Sequence, residues 1–325
     1  MVSALPRPHP VQRVVFLLLP NVNLLDVAGP AQVFSTAASM GAPYEVVFCA
    51  CQPELTTALG LVLADLAPLP TVGAGDIVLV PGMGLRTEMM FTNQVTPAGA
   101  RWLYEAYQAG AFVASVCTGA FVLGEAGLLD GRRCTTHWEA VPLLRSRYPH
   151  ARVDEATLFV HDGPITTSAG IASGIDMALA LVEREHGPLL AAQIARYLVV
   201  YLRRNGSHAQ QSIYLDYRTH LHPGVHRAQD YLTASLTTPV SLSHLAATSQ
   251  MSVRSLSRAF KEATGLTPLQ YHHRLRLELG SVLLDNPDLS VEAVAERCGF
   301  EDARQFRRLW QRTFGTPPSR RRARK

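Results

Sequence analysis

Ala111-Phe112-Val113-Ala114-Ser115-Val116-Cys117-Thr118-Gly119-Ala120-Phe121-Val122-Leu123-Gly124 joins a short apolar run to a small-residue helical pattern through one cysteine and one threonine. Ala111–Val116 reads as a buried strand and Thr118–Leu129 as a helix. A side chain at so sharp a strand-to-helix turn is pushed out of the sheet, and the N–H groups that follow face the same space, as in a nucleophile elbow. A helix N-terminus also favours a thiolate. The competing reading makes Cys117 a small buried hydrophobe, as most free cysteines are.

Working outward, the same grammar repeats. Arg13–Leu19 is a short strand closed by Pro20, and Leu24–Ala38 has helical spacing. Tyr44–Cys51 is β-branched and aromatic. Asp76–Val80 runs into Pro81-Gly82-Met83-Gly84, a tight turn whose Gly82 N–H offers itself to an oxyanion. Pro97–Gly110 reads as a helix. Leu158–His161 and Pro164–Thr167 flank Asp162-Gly163 as a hairpin, and Gly174–His186 is an apolar helix. Strands alternating with helices predict a parallel sheet covered on both faces, with sites at the carboxyl ends of its strands.

Length and composition bound the rest. The chain has 325 residues, which predicts two domains. Its apolar fraction is 47%, enough to bury real cores, and no apolar run approaches the ~18 residues of a membrane span. Met1–Pro10 lacks the order of a signal peptide. Five cysteines without a CxxC pair make no disulfide scaffold. The expectation is a soluble, reduced, cytoplasmic and nucleoid-associated protein. The net charge of +4 is unevenly spread: residues 222–325 carry 16 Lys+Arg against 9 Asp+Glu, and residues 1–221 carry 14 against 17. A basic segment after a mildly acidic one points to a polyanion for the C-terminal part, although Arg320, Arg321, Arg322, Arg324 and Lys325 supply five of its positives.

That C-terminal third holds an internal repeat. Ser241-Leu242-Ser243-His244-Leu245-Ala246, Met251-Ser252, Leu256, Arg258, Phe260 and Gly265-Leu266-Thr267-Pro268 recur as Ser290-Val291-Glu292-Ala293-Val294-Ala295, Phe300-Glu301-Asp302, Phe306, Arg308, Trp310 and Gly315-Thr316-Pro317-Pro318. Ala246 to Ala295 is 49 residues, while Arg258 to Arg308 and Gly265 to Gly315 are each 50, so one residue is added in the turn. Each copy reads helix, tight turn, helix. Ser252 and Asp302 are N-caps of the second helices, and Leu256/Phe260 and Phe306/Trp310 form their inner faces. Arg254, Ser257 and Arg258 in one copy, and Ala303, Arg304, Arg307 and Arg308 in the other, are left to face outward. Capped helices with arginines four apart, following a short turn, suit major-groove entry. Pro268–Leu284, with Tyr271, Leu275, Leu279 and Leu283 at spacings of four, reads as a helix bracing the two units.

Between the two regions, Leu189–Arg204 reads as an amphipathic helix, and residues 205–223 as a polar connector. His208, His220 and His222 match no standard zinc spacing, so no metal and no cofactor are expected.

Several separated motifs carry a resemblance. Leu25-Asp26-Val27-Ala28-Gly29-Pro30, Val80-Pro81-Gly82, Ser115-Val116-Cys117-Thr118-Gly119, Leu128-Leu129-Asp130-Gly131-Arg132, Thr135-Thr136-His137-Trp138 and Thr167-Ser168-Ala169-Gly170-Ile171-Ala172-Ser173-Gly174-Ile175-Asp176 resemble the class I glutamine-amidotransferase-like fold, a flavodoxin-like α/β sandwich. The branch is that of intracellular protease-like proteins, isocyanide hydratases and the sensor domains of certain transcription regulators. The resemblance implies that Cys117, Asp26 and Thr118 stand where isocyanide hydratases hold their nucleophile, acid and neighbouring Thr. Protease-like relatives carry His where this chain has Thr118. His137-Trp138-Glu139 mimics an amidotransferase His-x-Glu pair but follows the cysteine too closely. His137 and Trp138 are instead expected to line the pocket; Trp138 either stacks on a cationic or amide-bearing ligand or packs in the core.

Residues 224–322 resemble the AraC/XylS-type DNA-binding domain of seven helices, all-α with two helix-turn-helix motifs, the third and sixth being readers. The chain departs from that pattern at Gln250, where Gly is common, and at Arg321, where Tyr is. The combination resembles GlxA-type transcription regulators. It implies an effector-sensing domain over 11–187, a connector over 188–223, and double-stranded DNA, a nitrogenous metabolite and a second copy, bound through the N-terminal domain, as partners. The expected effector pocket is Asp26, Gly82, Cys117, Thr118, His137 and Trp138. No catalysis is expected; the alternative is a cysteine-dependent enzyme resembling isocyanide hydratase and using Cys117, Asp26 and Thr118.

Overall fold

The computed structural model describes residues 11–84, 96–155, 157–170, 172–200, 206, 217–284, 286 and 288–322. The chain divides into two compact units at Gln210/Gln211. His208 and most of the connector around it lie outside the described residues, as do Arg324 and Lys325.

In the first unit the chain runs β1 (Gln12–Leu17), α1 (Leu24–Ser39), β2 (Tyr44–Cys49), β3 (Leu55–Thr56), β4 (Val62–Leu63), β5 (Ile77–Val80), α2 (Pro97–Gln108), β6 (Phe112–Val116) and α3 (Gly119–Glu125). It continues through β7 (Arg133–Cys134), α4 (Val141–Arg147), β8 (Arg152–Val153), β9 (Phe159–Asp162), β10 (Ile165–Ser168), α5 (Ser173–His186) and α6 (Pro188–Tyr197). The main sheet has the order β2-β1-β5-β6-β10-β9. All its pairings are parallel except β10 with β9, the expected hairpin.

Side chains alternate across a strand, and β1 shows the consequence. Val14, Phe16 and Leu18 enter one core with α1, α5 and α6, while Val15, Leu17 and Leu19 enter the other with α2, α3 and α4. Strands buried on both faces read as unbroken apolar runs, as β5 does; β6 is broken only by the buried Ser115. The order reverses between β1 and β5, a switch point of the kind where such sheets bind ligands. Helix α6 packs into the first core through Ala191, Ile194 and Ala195, so this unit continues past Gly187. It ends at Tyr197, short of the expected Arg204, with Val199 at φ +56° beyond it.

The second unit contains seven helices among the described residues: α7 (Pro223–Ala234), α8 (Leu242–Thr248), α9 (Val253–Thr264), α10 (Pro268–Leu283), α11 (Val291–Arg297), α12 (Ala303–Phe314) and α13 (Pro318–Arg322). Leu232, Leu245, Leu256, Phe260, Tyr271 and Leu275 form one small core. Leu277, Val294, Phe300, Phe306 and Trp310 form the other. Helix α10 serves both.

Candidate functional sites: a cysteine elbow and a nucleic-acid interface

The elbow is real. Cys117 adopts φ +56° between β6 and α3, a left-handed conformation that costs a non-glycine residue roughly 1–2 kcal/mol. Its surroundings hold it there. Its N–H points at the carbonyls of Ser168 (3.0 Å) and Ala169 (2.9 Å), and its own carbonyl accepts the Thr136 hydroxyl at 2.8 Å. Gly119 must be glycine, because a Cβ there would lie 2.1 Å from the Val80 carbonyl.

Three strand ends converge on the thiol. Asp26 comes from α1 after β1, Gly82 from the turn after β5, and Cys117 from the end of β6. A Cβ on Gly82 would stand 2.5 Å from Asp26 Oδ2, 2.7 Å from Cys117 Cβ and 2.9 Å from the Thr118 nitrogen. Glycine at 82 is therefore what lets these groups meet. Asp26 is fully buried. Burial pushes its carboxyl up to about 7, against the opposing pull of the Gly82 N–H and the Cys117 side chain. At neutral pH it is poised to give or take a proton.

Thr118 is also buried, but its hydroxyl is committed. It accepts the Met83 N–H at 2.7 Å and donates to the Met83 carbonyl at 2.8 Å. It locks the Gly82–Met83 turn onto the elbow. Motif reading missed two partners: Met83, and Thr136, which ties the next strand end to Cys117. Both sit inside stretches the sequence marks, beside Gly82 and His137.

Thr135 N–H bonds Thr167 Oγ1 at 2.7 Å, and this anchors the segment leading to His137. The His137 ring packs on Gly170, where a Cβ would lie 2.2 Å from Cδ2. Burial lowers its pKa, against the opposing charge of Glu139, and so favours the neutral ring. Trp138 is not a core tryptophan: it is 44% exposed and tilts over His137 at 5.6 Å between centroids.

In the second unit the two copies match cap for cap. Ser252 Oγ accepts the Ser255 N–H at 3.2 Å, and Asp302 Oδ1 accepts the Arg304 N–H at 2.8 Å. Ser241 and Ser290 cap α8 and α11, and Gly265 and Gly315 close α9 and α12 at φ +73° and +71°. Leu256, Phe260, Phe306 and Trp310 are buried, while Arg254, Arg258, Arg304, Arg307 and Arg308 are exposed. Ser257 and Ala303 are half-buried on the flanks. The Arg258 side chain is 76% exposed, with Glu262 3.9 Å away as a loose pair. Arg307 instead forms an ion pair with Glu292 of α11.

His222 belongs to this unit, capping α7 by accepting the Val225 N–H at 3.3 Å. His220 stacks on His226 at 4.4 Å. Among the described residues no group of three His, Cys, Asp or Glu side chains is gathered to hold a metal, and no helix is long and apolar enough to cross a membrane.

Known proteins share both parts. The DJ-1/PfpI family matches residues 12–184, and a helix-turn-helix domain family matches residues 245–324. The HTH-type transcriptional regulator CdhR of Pseudomonas aeruginosa is 36% identical over 230 residues, covering 70% of this chain and 68% of that protein. The HTH-type transcriptional regulator GlxA of Rhizobium meliloti is 28% identical over 312 residues, 95% of this chain and 94% of that one. The isonitrile hydratase of Pseudomonas putida is 36% identical over 171 residues, 52% of this chain and 69% of the enzyme. A crystal structure of an AraC family transcriptional regulator from Pseudomonas putida superposes with a TM-score of 0.51 at 27% identity, covering 57% of this chain and 99% of that one. With its cysteine elbow and its paired, capped, arginine-bearing helices, the chain belongs to the DJ-1/PfpI family and is a DNA-binding transcriptional regulator of the GlxA type, its second unit an AraC-type reader.

Proposed function

We propose that the α/β unit binds a small nitrogenous metabolite in the space around Asp26, Gly82, Cys117, Thr118, His137 and Trp138, and that binding changes how the helical unit occupies DNA. The observation that carries this reading is the convergence of Asp26, Gly82 and Cys117 at the sheet's switch point. Trp138 adds an exposed aromatic face beside His137, suited to a cationic nitrogen. The α/β unit would also pair two copies, and the protein would act in the cytoplasm, where its DNA lies. Contact with DNA would fall to Arg254, Ser257, Arg258, Ala303, Arg304, Arg307 and Arg308.

A thermal-shift screen of the full chain against amino acids and quaternary amines tests the sensor. A true effector at a hundredfold its Kd stabilises by about 2.7 kcal/mol, and Trp138→Ala should abolish the shift. An absence of any shift at millimolar concentrations would sink the proposal. For the readers, Arg258→Ala should weaken operator binding by about 1–3 kcal/mol; unchanged affinity refutes that assignment. Analytical ultracentrifugation of the full chain reads the pairing, and a monomer at all concentrations overturns it.

A second reading is favoured by the strained Cys117 beside Asp26. In it, the Cys117 thiolate attacks an electrophilic carbon, Asp26 passes the proton, and the N–H groups of Thr118 and Gly82 steady the developing negative charge. Mass spectrometry after exposure to an isocyanide decides: an adduct lost in Cys117→Ser supports the enzyme. Effector-dependent transcription that survives Cys117→Ser shows that signalling does not need the thiol.

A further inference from the structure

Each helix-turn-helix copy has a cleft in the same place, between its first helix, its reader helix and the start of the helix that follows. In the first copy it is lined by Leu242, Ser257, Pro268 and Leu269, with a volume of about 420 Å³. In the second the equivalent positions are Val291, Arg307, Pro318 and Ser319, joined by Arg308 and Gln311, with a volume of about 460 Å³. The architecture is duplicated and the chemistry is not. No charged side chain lines the first cleft. The second holds two guanidinium groups, an amide and a hydroxyl, and α13 beside it reads Pro-Ser-Arg-Arg-Arg with Arg320 exposed.

Glu292 and Arg307 form an ion pair at positions where the first copy has Ser243 and Ser257. An arginine tied to the neighbouring helix would have to break that pair to reach a base edge. Arg258, the first-copy equivalent of Arg308, has only its loose contact to Glu262. A positively charged cleft with hydrogen-bond donors complements a phosphodiester group, whereas base-edge reading calls for residues near the start of the reader helix. In the second copy the exposed residue there is Arg304, with Ala303 beside it.

We infer that the cleft between α11, α12 and α13 seats a backbone phosphate of DNA. Arg308 and Ser319 grip the phosphate, with the second N–H of Gln311, whose Nε2 already donates to the Gly315 carbonyl at 2.8 Å; Arg307 forms the wall, and base reading by the second copy falls to Ala303 and Arg304. The first copy reads bases through Arg254 near the start of α9 and Arg258 one turn on. This rests on the reading that α12 meets DNA. It divides the two copies between specificity and anchoring, because phosphate contacts carry no sequence information.

The test uses the full chain and two duplexes. One is selected by the protein from a random-sequence pool; the other is its scrambled form. Binding is measured across a range of salt concentrations. Arg308→Ala should lower affinity for both duplexes by the same factor and make the salt slope shallower by about one. Gln311→Ala should lower both equally without changing the slope. Glu292→Gln should raise both, by releasing a cation. Arg304→Ala should instead shrink the preference for the selected duplex. Two results overturn the inference: Arg308→Ala relaxing the preference at one base pair while scrambled binding stays intact, or Arg308→Ala leaving both affinities unchanged. In either case Arg254→Ala and Arg304→Ala still reduce the preference if the reader helices meet DNA, and are silent if that broader reading is at fault. Arg308 is exposed, so an unchanged melting temperature confirms that the variant is folded.

Discussion

Asp26 and His272 are buried titratable groups, one in each unit, and burial moves them in opposite senses. Asp26 rises from 3.8 to about 7. A carboxyl whose folded value lies above its unfolded one stabilises fully below about pH 4, and that contribution is lost as pH rises toward 7. The span corresponds to about 4 kcal/mol. His272 falls from 6.5 to about 4, first through burial and then through the charge of Arg276, while its Nε2 bonds the Leu236 carbonyl at 2.9 Å. Its contribution is complete above about pH 6.5 and is lost as pH falls toward 4, by about 3 kcal/mol. Calorimetry of the full chain from pH 4 to 8 should therefore show the two contributions largely offsetting each other across the window they share. Asp26→Asn should unmask a loss of stability as pH falls, and His272→Gln a loss as pH rises. A variant whose pH profile matches the parent's removes that residue as the source.

The turn inside each helix-turn-helix copy poses the same conformational problem and solves it differently. Gln250 sits at φ +56° and its counterpart Gly299 at φ +78°. A non-glycine residue there costs roughly 1–2 kcal/mol, so Gln250→Gly should stabilise the protein by about 1 kcal/mol in urea titration. Gly299 has a second reason to be glycine: a Cβ would lie 2.3 Å from the Thr237 carbonyl. Gly299→Ala should cost at least ~2 kcal/mol, adding close contact to strain; equal and opposite effects in the two turns would refute this. The same turn shows what a sequence discloses about an element. The caps at Ser252 and Asp302, the closing glycines and the fifty-residue spacing are local signals, and each reads directly. So does the elbow, since Cys117 stands between an apolar run and small residues. Asp26 reads only through resemblance, because nothing in Leu24–Leu25–Asp26 announces burial. The pairs β3–β4 and β7–β8 are two residues per strand, too short for any period. The expected helix over 118–129 stops at Glu125, before Gly127 at φ +71°. Arg276 looks like a surface residue on α10, and it is buried because carbonyls 38 and 40 positions away in sequence turn toward it.

At the scale of the whole molecule, the proposed regulation is a coupling free energy between metabolite and DNA. Whatever factor the metabolite applies to operator affinity, the operator must apply to metabolite affinity; unequal factors in paired titrations would show that a third equilibrium intervenes. Such coupling acts on readers that behave as one body, and the helical unit is built that way. Tyr271 and Leu275 of α10 enter the first core and Leu277 the second. Arg276 donates to the carbonyls of Leu236 at 2.7 Å and Thr238 at 3.0 Å, and lies 5.8 Å from the centre of the Phe300 ring in the second copy's turn. Gly299 presses against Thr237 beside it. One arginine thus ties the loop of the first copy to the turn of the second. On the proposed reading, two readers held in this way would favour groove segments about one helical turn apart. Inserting two base pairs between those segments should therefore cost the parent protein most of its preference. Arg276→Lys keeps the charge, but a single ammonium replaces the fork that spans both carbonyls. It should narrow the penalty for the insertion while leaving binding to a single segment unchanged. Arg276→Ala should also destabilise the fold by about 3 kcal/mol, through carbonyls left unpaired, which makes the lysine variant the cleaner measurement. An insertion penalty identical in the parent and in Arg276→Lys would assign the bracing to α10 alone.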